Sequence, residues 1–287
     1  MEGIVIRGLG GLYTVLSKGE TFDCRGRGGL KRNRNILYVG DRVAFEEGAI
    51  EEILPRRNVL PRPPVANLDR LGIVIARSDP LPNLYTVDKL AVIAEHCGVK
   101  PFFVFNKSDL DDPLSVVDVY GSVGYSCFSV CARTGEGVEE LRSFLAGKIT
   151  AFAGLSGVGK STLLNAIAPD LVRETGEISR KLQRGKHTTR AVELFPFGDG
   201  FLADTPGFSE LEFGPCGLID RSLLAGYFPE FEPYLTECFF RDCAHGREKD
   251  CAVRRAVEEG TIPRSRYENY LRMYEEIGPL RPWETEK

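Results

Sequence analysis

Short apolar runs separated by glycines and charged residues dominate the first part of the chain. The runs that predict strands lie at Ile4–Ile6, Leu12–Leu16, Asn35–Val39 and Arg42–Phe45. Apolar and β-branched runs bounded by turn residues are typical of short strands. Several such strands within one small segment predict a small β-barrel domain over residues 1–66.

A basic, glycine-rich stretch at residues 25–34 interrupts these strands. It holds five Arg or Lys residues and three glycines, too polar and too flexible a mixture for a buried element. We therefore expect an exposed loop that could grip a phosphate backbone. A solvated loop without a ligand would explain the same residues.

The pattern of apolar and polar residues changes after a proline cluster at residues 61–64, where we place a domain boundary. Apolar strand runs occur at Leu71–Ala76, Pro101–Phe105, Thr150–Ala153 and Phe201–Ala203, and helical periodicity occurs at Thr86–Cys97, Val138–Ala146 and Lys160–Ala168. Alternation of buried strands with helices is typical of parallel βαβ units. We predict an α/β domain with a doubly wound sheet over residues 67–215.

The last part of the chain, residues 216–287, is predicted to be mostly helical. The apolar alternation fades after Gly214, and Arg264–Ile277 carries Tyr267, Tyr270 and Tyr274 at helical spacing.

Composition narrows the class of protein. The chain has 287 residues, 43% hydrophobic and 27% charged, which excludes a wholly disordered chain. No apolar run approaches the roughly 18 residues that span a bilayer, and no signal peptide is evident, so we expect a cytoplasmic protein that does not contact membranes. We also expect it to be a monomer. The net charge is -4, yet residues 1–65 alone carry +3. The first domain is therefore the basic one.

A complete phosphate-binding loop follows the predicted strand at 150–153. Its residues are Gly154, Leu155, Ser156, Gly157, Val158, Gly159, Lys160, Ser161 and Thr162. Glycines let backbone N–H groups curl around an anion at a helix N-terminus, and Lys160 can reach the terminal phosphates. Ser161 is the expected ligand of Mg²⁺.

Two further loops are expected to read the base. The first holds Asn106, Lys107, Ser108 and Asp109, and the second holds Cys131, Ala132 and Arg133. The Asp109 carboxylate can accept two N–H groups from guanine that adenine does not offer. We expect Lys107 to lie along the base and the Ala132 amide to meet the guanine carbonyl.

Residues after the phosphate loop supply two candidate switches. Asp204 and Gly207 follow a strand, where they could hold Mg²⁺ through water and sense the γ-phosphate. Upstream, Thr188 or Thr189 could ligate Mg²⁺ directly. Phe208 stands where many GTPases place a glutamine that orients water, so His187 is the candidate for that task. His187 could equally cap or pack its loop.

The order of the motifs is unusual. The base-reading loop at 106–109 precedes the phosphate loop at 154–162, the reverse of ordinary GTPases. The α/β domain is therefore expected to be circularly permuted.

A metal-binding cluster follows in the last domain. Cys238, Cys243, His245 and Cys251 lie within 14 residues, and three thiolates with one imidazole complete a tetrahedral structural zinc site. The scattered Cys24, Cys97, Cys127 and Cys216 are expected to be packing residues.

Taken together, these motifs and their order closely resemble the bacterial small-ribosomal-subunit-dependent GTPases, a circularly permuted family of assembly factors. The resemblance covers nearly the whole chain. It implies that the barrel is an OB fold that contacts rRNA, and that GTP hydrolysis to GDP is stimulated by the small subunit. It also implies a role late in maturation of that subunit.

Two alternatives stay open at this point. A nucleotide-regulated RNA chaperone with negligible catalysis would use the same basic and zinc-bearing units. A phosphate-loop kinase would share the phosphate grip, although the 106–109 motif argues against it.

Overall fold

The computed structural model describes residues 1–27, 36–61, 63–169, 192–204 and 219–278. The strands are β1 (Glu2–Leu9), β2 (Leu12–Ser17), β3 (Glu20–Gly26), β4 (Arg42–Glu46), β5 (Ala49–Ile53), β6 (Val59–Pro61), β7 (Pro64–Ala66), β8 (Arg70–Ala76), β9 (Lys100–Asn106), β10 (Cys127–Ser129), β11 (Ile149–Ala153), β12 (Glu193–Phe197) and β13 (Gly200–Asp204). The helices are α1 (Leu84–His96), α2 (Val116–Gly121), α3 (Val138–Leu145), α4 (Lys160–Ile167), α5 (Ala252–Glu258) and α6 (Arg264–Ile277), with 3₁₀ helices at Leu224–Tyr227 and Pro229–Tyr234. None of the helices in these ranges has both the length and the apolar character needed to cross a bilayer.

The first five strands form the expected barrel. They pair in the order β1-β2-β3-β5-β4, and β4 closes the ring by pairing with β1. Inward-facing side chains such as Val5, Val15, Phe45 and Ile50 fill its core. The barrel prediction is confirmed, and its strand order is that of an OB fold.

Two details of the sequence prediction for the barrel are wrong. The stretch 36–39 is not a strand, since only Val39 makes an isolated bridge, to Val65. Leu37 and Val39 are buried by loop packing instead, whereas Ile36 is 61% exposed. Arg25 and Gly26 belong to β3 rather than to a loop, while residues 28–34 of the expected basic loop lie outside the described residues. The proline cluster that interrupts the pattern contributes to the short hairpin of β6 and β7, where Pro61 faces Pro64.

The α/β domain contains a largely parallel sheet in the order β10-β9-β8-β11-β13-β12. Within this domain every pairing is parallel except that of β12 with β13, and β12 also pairs antiparallel with β1 of the barrel. Alternate residues of each buried strand face opposite sides: Ile73 and Phe103 pack with α1, whereas Val74 and Phe102 pack with α3 and α4. Helices cover both faces, so the doubly wound prediction is confirmed. The direction of winding reverses between β8 and β11, and ligands bind beyond the carboxyl ends of strands at such a point.

The last domain packs its aromatic side chains against α1. A buried ion network joins the two domains: the Arg266 guanidinium donates to Asp88 of α1 at 2.6 Å and to Glu230 at 2.7 Å. Tyr120 of α2 donates to the same Asp88 carboxylate at 2.8 Å. The Arg266 and Asp88 side chains are each only 1% exposed. The orientation of this domain is therefore fixed by charge pairing as well as by packing.

Candidate nucleotide site and metal centre

The phosphate loop leaves β11 at Gly154 and enters α4 after Gly159. Both glycines have positive φ angles, 145° and 90°. A Cβ atom would lie 2.4 Å from the Val74 carbonyl oxygen at the first position and 2.4 Å from Asn106 Nδ2 at the second. Only glycine fits these close approaches.

Lys160 is the first residue of α4 and folds back over its own loop. Its ammonium group donates to the carbonyl oxygens of Gly154 at 2.5 Å and Leu155 at 2.7 Å. Burial lowers the pKa of Lys160. Ser161 and Thr162 follow in the first turn and are exposed. The backbone N–H groups of that turn and a lysine ammonium thus converge on one place, which favours an anion.

Asn106 ties three loops together. Its side chain is 2% exposed, and its Nδ2 donates to the Val158 carbonyl of the phosphate loop at 2.9 Å. Its Oδ1 accepts the Ala132 backbone N–H at 3.1 Å. The sequence predicts that Asn106 and Ala132 contact the guanine base, whereas in this structure they contact each other.

Asp109 is held between two donors of the second loop. Cys131 Sγ lies 3.1 Å from Oδ1, and the Arg133 guanidinium donates to Oδ2 at 2.9 Å. Hydrogen bonds from Cys131 and Arg133 lower the pKa of Asp109 below its ordinary value. The side chain is therefore a carboxylate at neutral pH, as an acceptor for two guanine N–H groups must be.

The three loops line one cleft of about 250 Å³. Lys107 and Asp109 lie on one side, Ala132 on another, and Gly159 and Thr162 on the third. Motifs that are reversed in the sequence thus lie together in space. The reason is topological, since β8 separates β9 from β11 and all three strands end at the same edge.

The candidate switch residues are described only in part. Asp204 is the last residue of β13, whose preceding Ala203 pairs with Ala151 of the strand that leads to the phosphate loop. His187, Thr188, Thr189 and Gly207 lie outside the described residues.

The four predicted metal ligands form a single cluster. The ligand atoms of Cys238, Cys243, His245 and Cys251 all lie within 4.8 Å of one another. His245 Nδ1 is 3.5 Å from Cys238 Sγ and 3.6 Å from Cys251 Sγ, and these two sulfurs are 3.9 Å apart. Zinc bonds of about 2.0–2.3 Å in a tetrahedron place ligand atoms roughly 3.4–3.8 Å apart. The donor set and its spacing therefore fit zinc, which would stabilise the loop as a structural ion.

Helix α6 supports this cluster from behind. The Tyr267 hydroxyl donates to the His245 carbonyl at 2.7 Å, and the Tyr270 hydroxyl donates to the Ala244 carbonyl at 2.9 Å. The Glu248 carboxylate accepts the backbone N–H groups of Ala244 and Gly246 at 3.0 and 2.8 Å. Tyr267 and Tyr270, whose helical spacing predicts α6, thus also bind the ligand-bearing loop.

We expect one zinc ion per chain and its loss in Cys243→Ser. Burial raises the pKa of Cys243 to about 12, so binding of a metal must displace the thiol proton. Metal analysis after exhaustive dialysis measures the stoichiometry. Cys97→Ser, which changes a thiol outside the cluster, is the control that keeps its zinc. A full equivalent of zinc in Cys243→Ser would contradict the ligand assignment.

Comparison with known proteins decides the family. The family model described as the RsgA GTPase matches residues 53–214, and that of the RsgA N-terminal domain matches residues 2–52. The chain belongs to the RsgA GTPase family. Membership makes it a GTPase of the circularly permuted kind, and the resemblance inferred from the motifs is confirmed.

Relatives match along almost their whole length. The chain is 45% identical over 292 residues to the small ribosomal subunit biogenesis GTPase RsgA of Geobacillus sp. (strain WCH70), covering 98% of this chain and 99% of the relative. It is 39% identical to the crystal structure of YjeQ from Thermotoga maritima, with a TM-score of 0.83 and 98% and 99% of the two chains covered. YloQ, described as a circularly permuted GTPase, is 33% identical with a TM-score of 0.80, covering 98% and 96%.

Proposed function

We propose that this protein hydrolyses GTP while bound to the small ribosomal subunit and assists late maturation of that subunit in the cytoplasm, acting as a monomer. The observation that carries the proposal is the cleft in which a guanine-type loop faces a phosphate loop, in a family whose relatives are named for small-subunit biogenesis. In this proposal the domain at residues 1–66 contacts RNA and the domain at 67–215 binds and hydrolyses the nucleotide. The domain at 216–287 supplies a second contact surface that zinc stabilises.

Each side of the cleft has a role in this proposal. Asp109 accepts guanine N–H groups, and the Lys107 stem lies along the base. The amides of the phosphate loop and Lys160 hold the β- and γ-phosphates and stabilise the charge that develops as water attacks. Lys160 leaves its two carbonyl acceptors for the phosphate oxygens when nucleotide enters.

Magnesium is expected beside the exposed Ser161. Hydroxyl and carboxylate oxygens suit this ion, and Ser161, Asp204 and either Thr188 or Thr189 would hold it. When bound, Mg²⁺ neutralises phosphate charge. His187 would orient the attacking water, because the phenyl ring of Phe208 has no polar atom for that purpose.

Contacts to rRNA are assigned to the two flanking domains. The barrel segment carries the excess of positive charge, which favours a phosphate backbone. On the zinc-bearing loop, Phe239 and Phe240 are 76% and 44% exposed, and their ring centroids lie 5.0 Å apart. Exposed Arg241, Arg247 and Lys249 follow within a few residues. Aromatic rings beside cations can stack on unpaired bases.

Turnover with and without small subunits tests this function. We expect the GTPase rate to rise at least about tenfold with small subunits, since a partner that orders a water-positioning loop lowers the barrier. Large subunits are the matched control. Binding in a pull-down should weaken as salt rises, because backbone contacts release counterions. An unchanged rate with retained binding would favour the RNA chaperone instead.

A further inference from the structure

The loop between β8 and α1, residues 77–83, touches both nucleotide-binding loops although it belongs to none of the motifs. On one side, the Lys107 ammonium donates to the Asp79 carbonyl and lies 3.7 Å from the Asp79 carboxylate. On the other side, a Cβ atom at Gly157 would lie 3.5 Å from Pro80 Cδ. The loop therefore lies next to the base-reading and phosphate loops at once.

Arg77, the first residue of this loop, joins the two base-reading loops from behind. Its backbone N–H donates to the Asn106 carbonyl at 3.3 Å, and its guanidinium donates to the Ser108 carbonyl at 3.3 Å. The same guanidinium donates to the hydroxyl of Ser129. Ser129 ends β10 and lies two residues before Cys131.

The rigid guanidinium of Arg77 holds the two base-reading loops at a fixed separation. Asp109 comes one residue after Ser108, and Cys131, which contacts Asp109, comes two residues after Ser129. A guanidinium is a planar fork with fixed donor directions, so its two acceptors are held at a defined separation. The Arg77 side chain is half-buried, and its Nε is buried without a hydrogen-bond partner. A buried N–H group without a partner costs free energy, and the structure tolerates this cost because the other donors of the guanidinium are hydrogen-bonded.

We propose that Arg77 is a positioning residue for guanine recognition: it sets the distance between the loop that carries Asp109 and the loop that carries Ala132. This inference rests on the proposed guanine site. The protein binds a base held between two loops less tightly when the distance between the loops changes, because a small displacement weakens hydrogen bonds to a rigid ring.

The test compares nucleotide affinities of Arg77→Met, which keeps the aliphatic stem but removes the fork. We expect the dissociation constant for GDP to rise about tenfold and that for inosine diphosphate, which lacks the 2-amino group, to rise less. The preference for guanine over hypoxanthine therefore falls, and the melting temperature stays within a few degrees. Arg77→Lys should recover part of the preference, since an ammonium can still reach one acceptor. Arg142→Met, on the surface of α3, is the control and should match the parent protein.

Two further variants separate the possible failures. Ser129→Ala removes one acceptor and should shift the preference in the same direction, less than additively with Arg77→Met. Equal loss for both nucleotides, or no loss, in Arg77→Met would overturn the positioning role. Asp109→Asn, assayed alongside, should weaken GDP binding on its own. If Asp109→Asn leaves GDP binding unchanged, the guanine site itself is misassigned, and that result is distinct from a failure of Arg77 alone.

Discussion

Lys160→Ala abolishes measurable GTP hydrolysis while the fold survives. The ammonium group is the only lysine charge in the described phosphate loop, and its two present acceptors are backbone carbonyls that a triphosphate can replace. Loss of one donor to developing negative charge in an enclosed site costs about 100- to 1,000-fold in rate. Release of inorganic phosphate under saturating GTP measures the effect.

Lys148→Ala is the matched control for this experiment. Lys148 is exposed and precedes β11, so it lies at the opposite end of the strand that leads to Lys160. Its variant should hydrolyse GTP at the parental rate. Turnover by Lys160→Ala within a factor of two of the parent would refute the phosphate assignment.

Arg266→Met loosens the last domain from α1. The substitution leaves the Asp88 carboxylate buried with its Arg partner removed, and breaking a buried ion pair from one side costs about 3–5 kcal/mol. Hydrogen exchange of the backbone amides of α6 reports this opening free energy directly. Protection there should fall by more than about 100-fold, since 1.4 kcal/mol corresponds to a factor of ten.

Arg254→Met gives the comparison for an exposed pair. Arg254 lies 3.7 Å from Glu258 on α5, with side chains 37% and 66% exposed. Screened surface pairs contribute about 0–1 kcal/mol, so exchange in α6 should barely change. Similar protection in both variants would show that the buried network does not hold the domains together.

The α/β domain was predictable from sequence because its strands are apolar on both faces. The strand predictions at 71–76, 101–105, 150–153 and 201–203 fall within β8, β9, β11 and β13, respectively. Buried parallel strands leave continuous hydrophobic runs that few other structures produce.

The barrel was harder to read because its strands are half exposed. Of β3, only Cys24 is fully buried, and most of the remaining residues are polar or charged; β5 is similar, with Ile50 alone buried. Neither strand was predicted. The strand predicted at 36–39 is wrong because Leu37 and Val39 are buried from a loop, while Ile36 is exposed.

Polar contacts between residues far apart in the chain could not be predicted from the sequence. Nothing near Arg266 in the sequence marks it as buried, since its partner Asp88 is 178 positions away. Arg77 likewise reads as an ordinary loop residue. The zinc ligands, in contrast, lie within a short stretch, so their spacing alone indicated the cluster.

The place of β8 in the sheet has a consequence for biosynthesis. β8 is the first strand of the α/β domain to be translated but lies in the interior of that domain's sheet, and its partner β11 is not translated until about 75 residues later. The base-reading half, β8 to β10, can pair as it emerges, because domains fold from the N-terminus during translation. The phosphate-binding half then docks onto a preformed template, so a truncated nascent chain would hold the purine-recognition loops without the means to grip a triphosphate.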